Sequence, residues 1–116
     1  MMSPWSVEME PEVEQWLGSL NAKQFAGAAT RIDYLAEFGS IIRMPRSRPL
    51  GAGLFELRFD VDRTAMRVTY FFPGDRRIVL LTVFRKQRQI ERAEVERARR
   101  AMATCVARDH TADEED

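Results

Sequence analysis

Soft metal ligands are almost missing from this chain, which has one cysteine, Cys105, and one histidine, His110, among 116 residues. A lone cysteine cannot close an internal disulfide. That fits a reducing cytoplasm, and the residue reads as a small packing group near a helix end. No His/Cys/Asp grouping has metal-ligand spacing, so no metal is expected. No glycine-rich loop leads from a strand into a helix, so nucleotide binding by that route is unsupported and no cofactor is expected. No apolar run nears the ~20 residues that span a bilayer. Met1 to Glu14 has neither a basic leader nor an apolar stretch of signal length, so export is not expected. The length allows one compact domain and not two.

Net charge is also missing: 18 basic residues balance 18 acidic ones. The balance is uneven along the chain. Glu8, Glu10, Glu12 and Glu14 lie in the first 14 residues, and Asp109, Asp113, Glu114, Glu115 and Asp116 in the last eight, with no Lys or Arg in either segment. The body, 15–108, therefore holds all 18 bases against nine acids. Most of those bases are arginine, whose planar fork matches phosphate oxygens, so a polyanion is a natural partner. Charge alone fits a solvated surface with acidic ends equally well.

Periodicity supplies the elements. Ser6–Met9 reads as a short strand. Pro11 and the acids Glu12 and Glu14 suit the start of a helix to about Leu20. Asn21 and Gln24 form a capping-box pair, followed by Phe25, Ala28, Ala29, Ile32, Leu35 and Ala36 at helical spacing up to Gly39. Residues 40–53, with Pro45, Pro49, Gly51 and Gly53, read as a loop carrying Arg43, Arg46 and Arg48. From Leu54 to Asp60 the period becomes two: Phe55, Leu57 and Phe59 alternate with Glu56, Arg58 and Asp60. Met66–Phe72 and Arg77–Phe84 follow as strands across short turns, an antiparallel meander. A last helix is expected over Gln89–Ala107. The fold class is α+β: an N-terminal strand and helical hairpin packed on one face of an antiparallel sheet, with a C-terminal helix. The domain is expected over 1–108, with 109–116 an acidic flexible tail.

The segment Pro49-Leu50-Gly51-Ala52-Gly53-Leu54-Phe55-Glu56-Leu57-Arg58 is similar to a "P-L-G-x-G-L-x-E-L-R" run of the phage-derived, HigB-like branch of the RelE/ParE toxin superfamily. Arg67-Val68-Thr69-Tyr70-Phe71-Phe72 resembles that branch's "R-x-x-Y-x-x" strand. Ile78-Val79-Leu80-Leu81 with Val83-Phe84-Arg85-Lys86 resembles its last strand and closing "F-x-K". The close resemblance covers about 49–88, and the element order agrees outside it. It implies a toxin of a type II toxin–antitoxin pair: a metal-independent, cytoplasmic endoribonuclease (an mRNA interferase) that cuts messenger RNA, often on the ribosome. It also implies a cognate antitoxin, in many such pairs a helix-turn-helix, HigA-like protein. Carried over by residue, Arg58 and Arg67 match basic positions on the open sheet face, and Lys86 falls near the basic position past the last strand. The Tyr or His that several members place after that strand is absent; Gln87, Arg88, Gln89, Ile90, Glu91 and Arg92 stand there. A gyrase-inhibiting toxin of the ParE branch, or a decayed toxin fold that only binds, are the alternatives.

Metal-free RNA cleavage needs the 2′-hydroxyl proton removed, the extra negative charge on phosphorus neutralised and the leaving oxygen protonated. Arg58 and Arg67, on neighbouring strands, suit the second task. Glu56 lies two residues before Arg58 and so on the same face. It is the nearby carboxylate that could act as a base, though orienting Arg58 is the favoured reading. Arg43, Arg46, Arg48, Arg85 and Arg88 are candidate RNA contacts, and each fits a solvated surface nearly as well. Tyr70 alternates away from Arg67 and reads as core.

Overall fold

The structure is a computed structural model that describes residues 4–87 and 91–115, with the backbone alone over 110–115. Its elements run β1 (Ser6–Met9), α1 (Pro11–Gly18), α2 (Ala22–Phe38), a 3-10 turn (Gly39–Ile41), β2 (Ser47–Gly51), β3 (Leu54–Val61), β4 (Thr64–Gly74), β5 (Arg77–Arg85) and α3 (Glu91–Glu115). The five strands form one sheet in the order β1-β5-β4-β3-β2. Strands β2 to β5 are an antiparallel meander, and β1 lies parallel to β5.

The local signals act where the sequence puts them. Pro11 opens α1 with Glu12 and Glu14 in its first turn. At α2 the Asn21 side chain accepts from the Gln24 N–H at 2.8 Å, and the Gln24 side chain accepts from the Asn21 N–H at 3.0 Å. Gly39 ends α2 with φ +53°, and a Cβ there would run into the Trp5 indole, so glycine is required twice over.

One expectation is overturned between residues 40 and 53, where Ser47–Gly51 is the outer strand β2 rather than loop. Pro49 sits on an edge, where its missing N–H removes no ladder bond, and a register shift between Pro49 and Gly51 bends the strand into its turn. The last helix also differs from its expected end at Ala107, since its backbone continues to Glu115 through the acidic segment.

Helices α1 and α2 cover one face of the sheet. Val13, Leu17, Ala28, Ile32 and Leu35 pack there on Leu57, Phe59, Met66, Val68, Tyr70, Ile78 and Leu80. The second face, expected to be open, is half covered by α3, whose Ala98 and Cys105 pack on Leu54, Phe71, Val79 and Leu81. Polar side chains hold α3 in place. Arg97 pairs with Glu12 and donates to the Val83 carbonyl at 3.3 Å, at the β5 edge. Arg99 donates to the Leu50 and Gly51 carbonyls at 2.5 and 3.0 Å, at the β2 turn.

Inside the first core, the Tyr70 hydroxyl shares a short hydrogen bond with Ser47, tying β2 to β4. Burial pushes the Tyr70 phenol above its ordinary value. Replacing Tyr70 with Phe leaves the buried Ser47 hydroxyl without that partner. Stability should drop by about 1–2 kcal/mol, read as a lower Tm; an unchanged Tm would mean the bond does not form in solution.

Candidate active site

Strand register arranges the second face in rows. Arg48, Glu56, Thr69 and Thr82 are successive partners from β2 to β5, and in the next row Arg58 faces Arg67. The Thr69 and Thr82 hydroxyls, both buried, hydrogen-bond to each other at 2.6 Å. The apolar rows beyond them carry α3, which leaves the Arg58–Arg67 end of the face clear of that core.

Three arginines surround one carboxylate oxygen. Arg58 Nε and Arg67 Nε lie 3.8 Å from Glu56 Oε1, and Arg48 Nη1 lies 3.9 Å from it. All three contacts are too long for hydrogen bonds. Neither Glu56 oxygen, nor Arg58 Nε, nor Arg67 Nε has a hydrogen-bond partner among the described residues. The cluster is layered: the side chains of Glu56 and Arg67 are 1% and 6% exposed, Arg58 is 21% exposed and Arg48 is 49% exposed. A ligand arriving from solvent therefore meets Arg48 and Arg58 first, with Arg67 and then Glu56 beneath.

Desolvation shapes the charges here. Burial raises the Glu56 carboxyl above its ordinary value; Arg67 opposes the rise and Glu91, from the first turn of α3, adds to it. Burial lowers Arg67, and repulsion from Arg58 lowers it further. Both shifts disfavour the charged forms, so the cluster is unrelieved as it stands. An anion seated among the guanidiniums would supply the missing acceptors.

The structure brings together Glu56, Arg48, Arg58 and Arg67 of the expected site residues. Arg67, expected on an open face, is covered by its neighbours. Lys86 lies one position past β5, its N–H donating to the Ala65 carbonyl at 2.8 Å beside the start of β4. Arg46 lies over the Tyr34 ring, 4.5 Å from its centroid, at the rim of a cavity of about 550 Å³ that Arg58 and Arg67 also line. Arg43 turns to its own loop, donating to the Ser40 carbonyl at 2.7 Å. Arg85 is paired with Met66, a residue of the helix-covered core, and so falls on the opposite face from Arg67. Arg88 lies outside the described residues. Two residues escaped sequence reasoning. Glu91 sits 3.9 Å from Arg48, and Arg31 of α2 lines the cavity. Neither carries a signal in the sequence, because each is one charged residue on an ordinary helix. Among the described residues no group of His, Cys, Asp or Glu is placed to hold a metal ion, and no helix is long and apolar enough to cross a membrane.

A family model described as phage derived protein Gp49-like matches residues 15–103. Three solved structures are similar. E. coli toxin RelE in the free state, as a double arginine-to-alanine mutant, matches 90% of this chain and 98% of its own at 10% identity, TM-score 0.58. A chain of the toxin–antitoxin complex RelBE2 from Mycobacterium tuberculosis matches 72% of this chain and 99% of its own at 21% identity, TM-score 0.51. A chain of the archaeal RelE–RelB complex from Pyrococcus horikoshii matches 73% and 98% at 17% identity, TM-score 0.52. At these identities the likeness is one of fold. No curated protein matches the sequence.

Proposed function

The chain belongs to the Gp49-like family of phage-derived proteins, and from that membership we propose that it is the toxin of a type II toxin–antitoxin pair. In this reading it is a metal-independent endoribonuclease that cuts messenger RNA and halts translation and growth until its antitoxin binds. The observation that carries the reading is the buried Glu56 ringed by Arg48, Arg58 and Arg67 with no hydrogen bond between them. Such a ring leaves the Arg58 and Arg67 Nε donors unengaged and able to serve a phosphate, on a fold similar to that of RelE toxins.

Chemistry follows from the layering. The RNA 2′-oxygen bonds to phosphorus as its proton passes to solvent water, and the bond from phosphorus to the 5′-oxygen breaks as that oxygen takes a proton from water. Between those events the phosphoryl oxygens carry extra negative charge. Arg58, part exposed, and Arg67, beneath it, supply donors fixed in advance for that charge, which is where electrostatic catalysis is strongest. Glu56 is too deeply covered to touch the strand and acts by positioning the guanidiniums. Lys86 adds positive charge past the end of β5. The structurally similar chains from toxin–antitoxin complexes support a protein antitoxin as partner; the resemblance of residues 49–88 to the HigB-like branch adds the helix-turn-helix, HigA-like kind and a cytoplasmic setting.

Purified protein incubated with RNA and EDTA tests the reading. Cleavage should persist, with upstream fragments ending in a 2′,3′-cyclic or 3′-phosphate and downstream fragments beginning with a 5′-hydroxyl. A strict magnesium requirement with 5′-phosphate products would overturn it.

A further inference from the structure

We propose that the groove along the uncovered edge of β3 is a second RNA subsite, holding the nucleotide next to the scissile phosphate through Arg31 and Arg46; this rests on the ribonuclease reading above. The groove exists because two neighbouring strands differ in length. Strand β2 pairs with β3 no further than Leu57, while β3 runs on to Val61. The Arg58 N–H donates to the Arg46 carbonyl at 2.8 Å, closing one end. By strand alternation the backbone N–H and C=O of Asp60 face outward next, and among the described residues no strand pairs with them. Helix α2 forms the far wall through Arg31.

Charge and size both suit one nucleotide unit. The lining holds Arg31, Arg46, Arg58 and Arg67 against the single acid Asp60, with Pro45 and Phe59 as apolar surface, around a cavity of about 550 Å³. Several arginines elsewhere on the protein are tied to carboxylates: Arg77 to Glu8, Arg97 to Glu12 and Arg108 to Glu10. In the groove, Arg58 and Arg67 lie beside Glu56, while Arg31 and Arg46 pair with no carboxylate of the described residues. The Arg31 side chain makes no hydrogen bond or ion pair with the described residues. The Arg46 guanidinium rests over the Tyr34 ring and donates to its hydroxyl at 3.2 Å, so it is held in place by a neutral partner with its charge available. Because Arg58 and Arg67 line both the groove and the catalytic row, a strand whose phosphate sits between them continues into the groove. There a base or sugar meets Phe59 and Pro45 while the next phosphate meets Arg31 and Arg46.

Arg31→Ala separates this subsite from the catalytic row, since Arg31 is an exposed helix residue whose loss leaves the core untouched. Binding is measured with a labelled single-stranded RNA dodecamer carrying 2′-O-methyl groups to block cleavage, across a salt series. The variant should bind about tenfold more weakly at low salt. Its plot of log affinity against log salt should be shallower by about 0.7, the value of one phosphate contact on a single strand. Cleavage of a dinucleotide, whose one phosphate is the scissile one, should match that of the unmodified protein. Arg31→Glu should lose more binding than Arg31→Ala in the same assay. If the unmodified protein binds and cleaves RNA but Arg31→Ala keeps its affinity and salt slope, the subsite is wrong and the ribonuclease reading stands. If the unmodified protein neither binds nor cleaves RNA, both fall.

Discussion

Arg67→Ala is expected to slow RNA cleavage by about 10³-fold or more, the range in which an arginine that stabilises a phosphoryl transition state acts. Arg67 is the deepest guanidinium of the cluster, at 6% side-chain exposure, and Arg58 and Glu56 limit where it can point. A donor fixed in that way needs no rearrangement as charge develops on phosphorus. Arg67→Lys should fall nearly as far, because a single ammonium cannot reproduce the two-pronged contact. Stability should change little by comparison. Burial and Arg58 already disfavour the charge on Arg67, so its removal relieves that repulsion, offsetting the loss of a buried side chain and of the main favourable charge on Glu56. Single-turnover cleavage beside thermal melting checks both halves. A folded Arg67→Ala protein that cleaves at the original rate would remove Arg67 from the mechanism.

Glu56→Gln should separate stability from activity. Losing one member of a well-bonded buried ion pair costs about 3–5 kcal/mol. Glu56 is not in such a pair, since neither of its oxygens has a hydrogen-bond partner among the described residues. Burial outweighs the attraction of Arg67 and holds its carboxyl above the ordinary value. The folded state therefore binds this proton more readily than the unfolded chain. Stability from Glu56 is greatest below the ordinary carboxylate range, falls as pH rises through the interval up to the raised value, and stays reduced above it. Glutamine imitates the protonated acid. The variant should match or exceed the original Tm at pH 7 and lose the decline over that interval. Its cleavage rate should drop by about 10²-fold, the scale of loss when groups that position a reaction shift by an ångström. A fall of many degrees in Tm at pH 7 would mean that the ionised carboxylate holds this face together.

Much of the site was legible in strand alternation. Period two from Leu54 to Asp60 put Glu56 and Arg58 on the face opposite Leu57, and the short turn at Asp62 brought Arg67 to the neighbouring strand, directly opposite Arg58. The start and end of α2 were legible because a capping box and a glycine act locally. What stayed hidden depends on distant partners. Strand β2 was concealed by Pro49 and Gly51, and it is a strand because the edge of β3 is there to pair with. The place of α3 was hidden because its contacting face is partly polar: Arg97 and Arg99 reach the two margins of the sheet. That placement in turn half covers a face expected to be open and brings Glu91 over Arg48. Arg31 gains its role only after β3 outruns β2, a difference in strand length that no residue near position 31 encodes.

The most direct test is to sequence 5′-hydroxyl RNA ends in cells shortly after expression is induced, comparing the unmodified protein with Arg67→Ala at equal abundance. The unmodified protein should arrest growth and produce clustered new ends within coding sequences, and Arg67→Ala should do neither. Growth arrest without new ends, or the same ends with Arg67→Ala, would contradict the assignment of this arginine cluster as the site of messenger RNA cleavage.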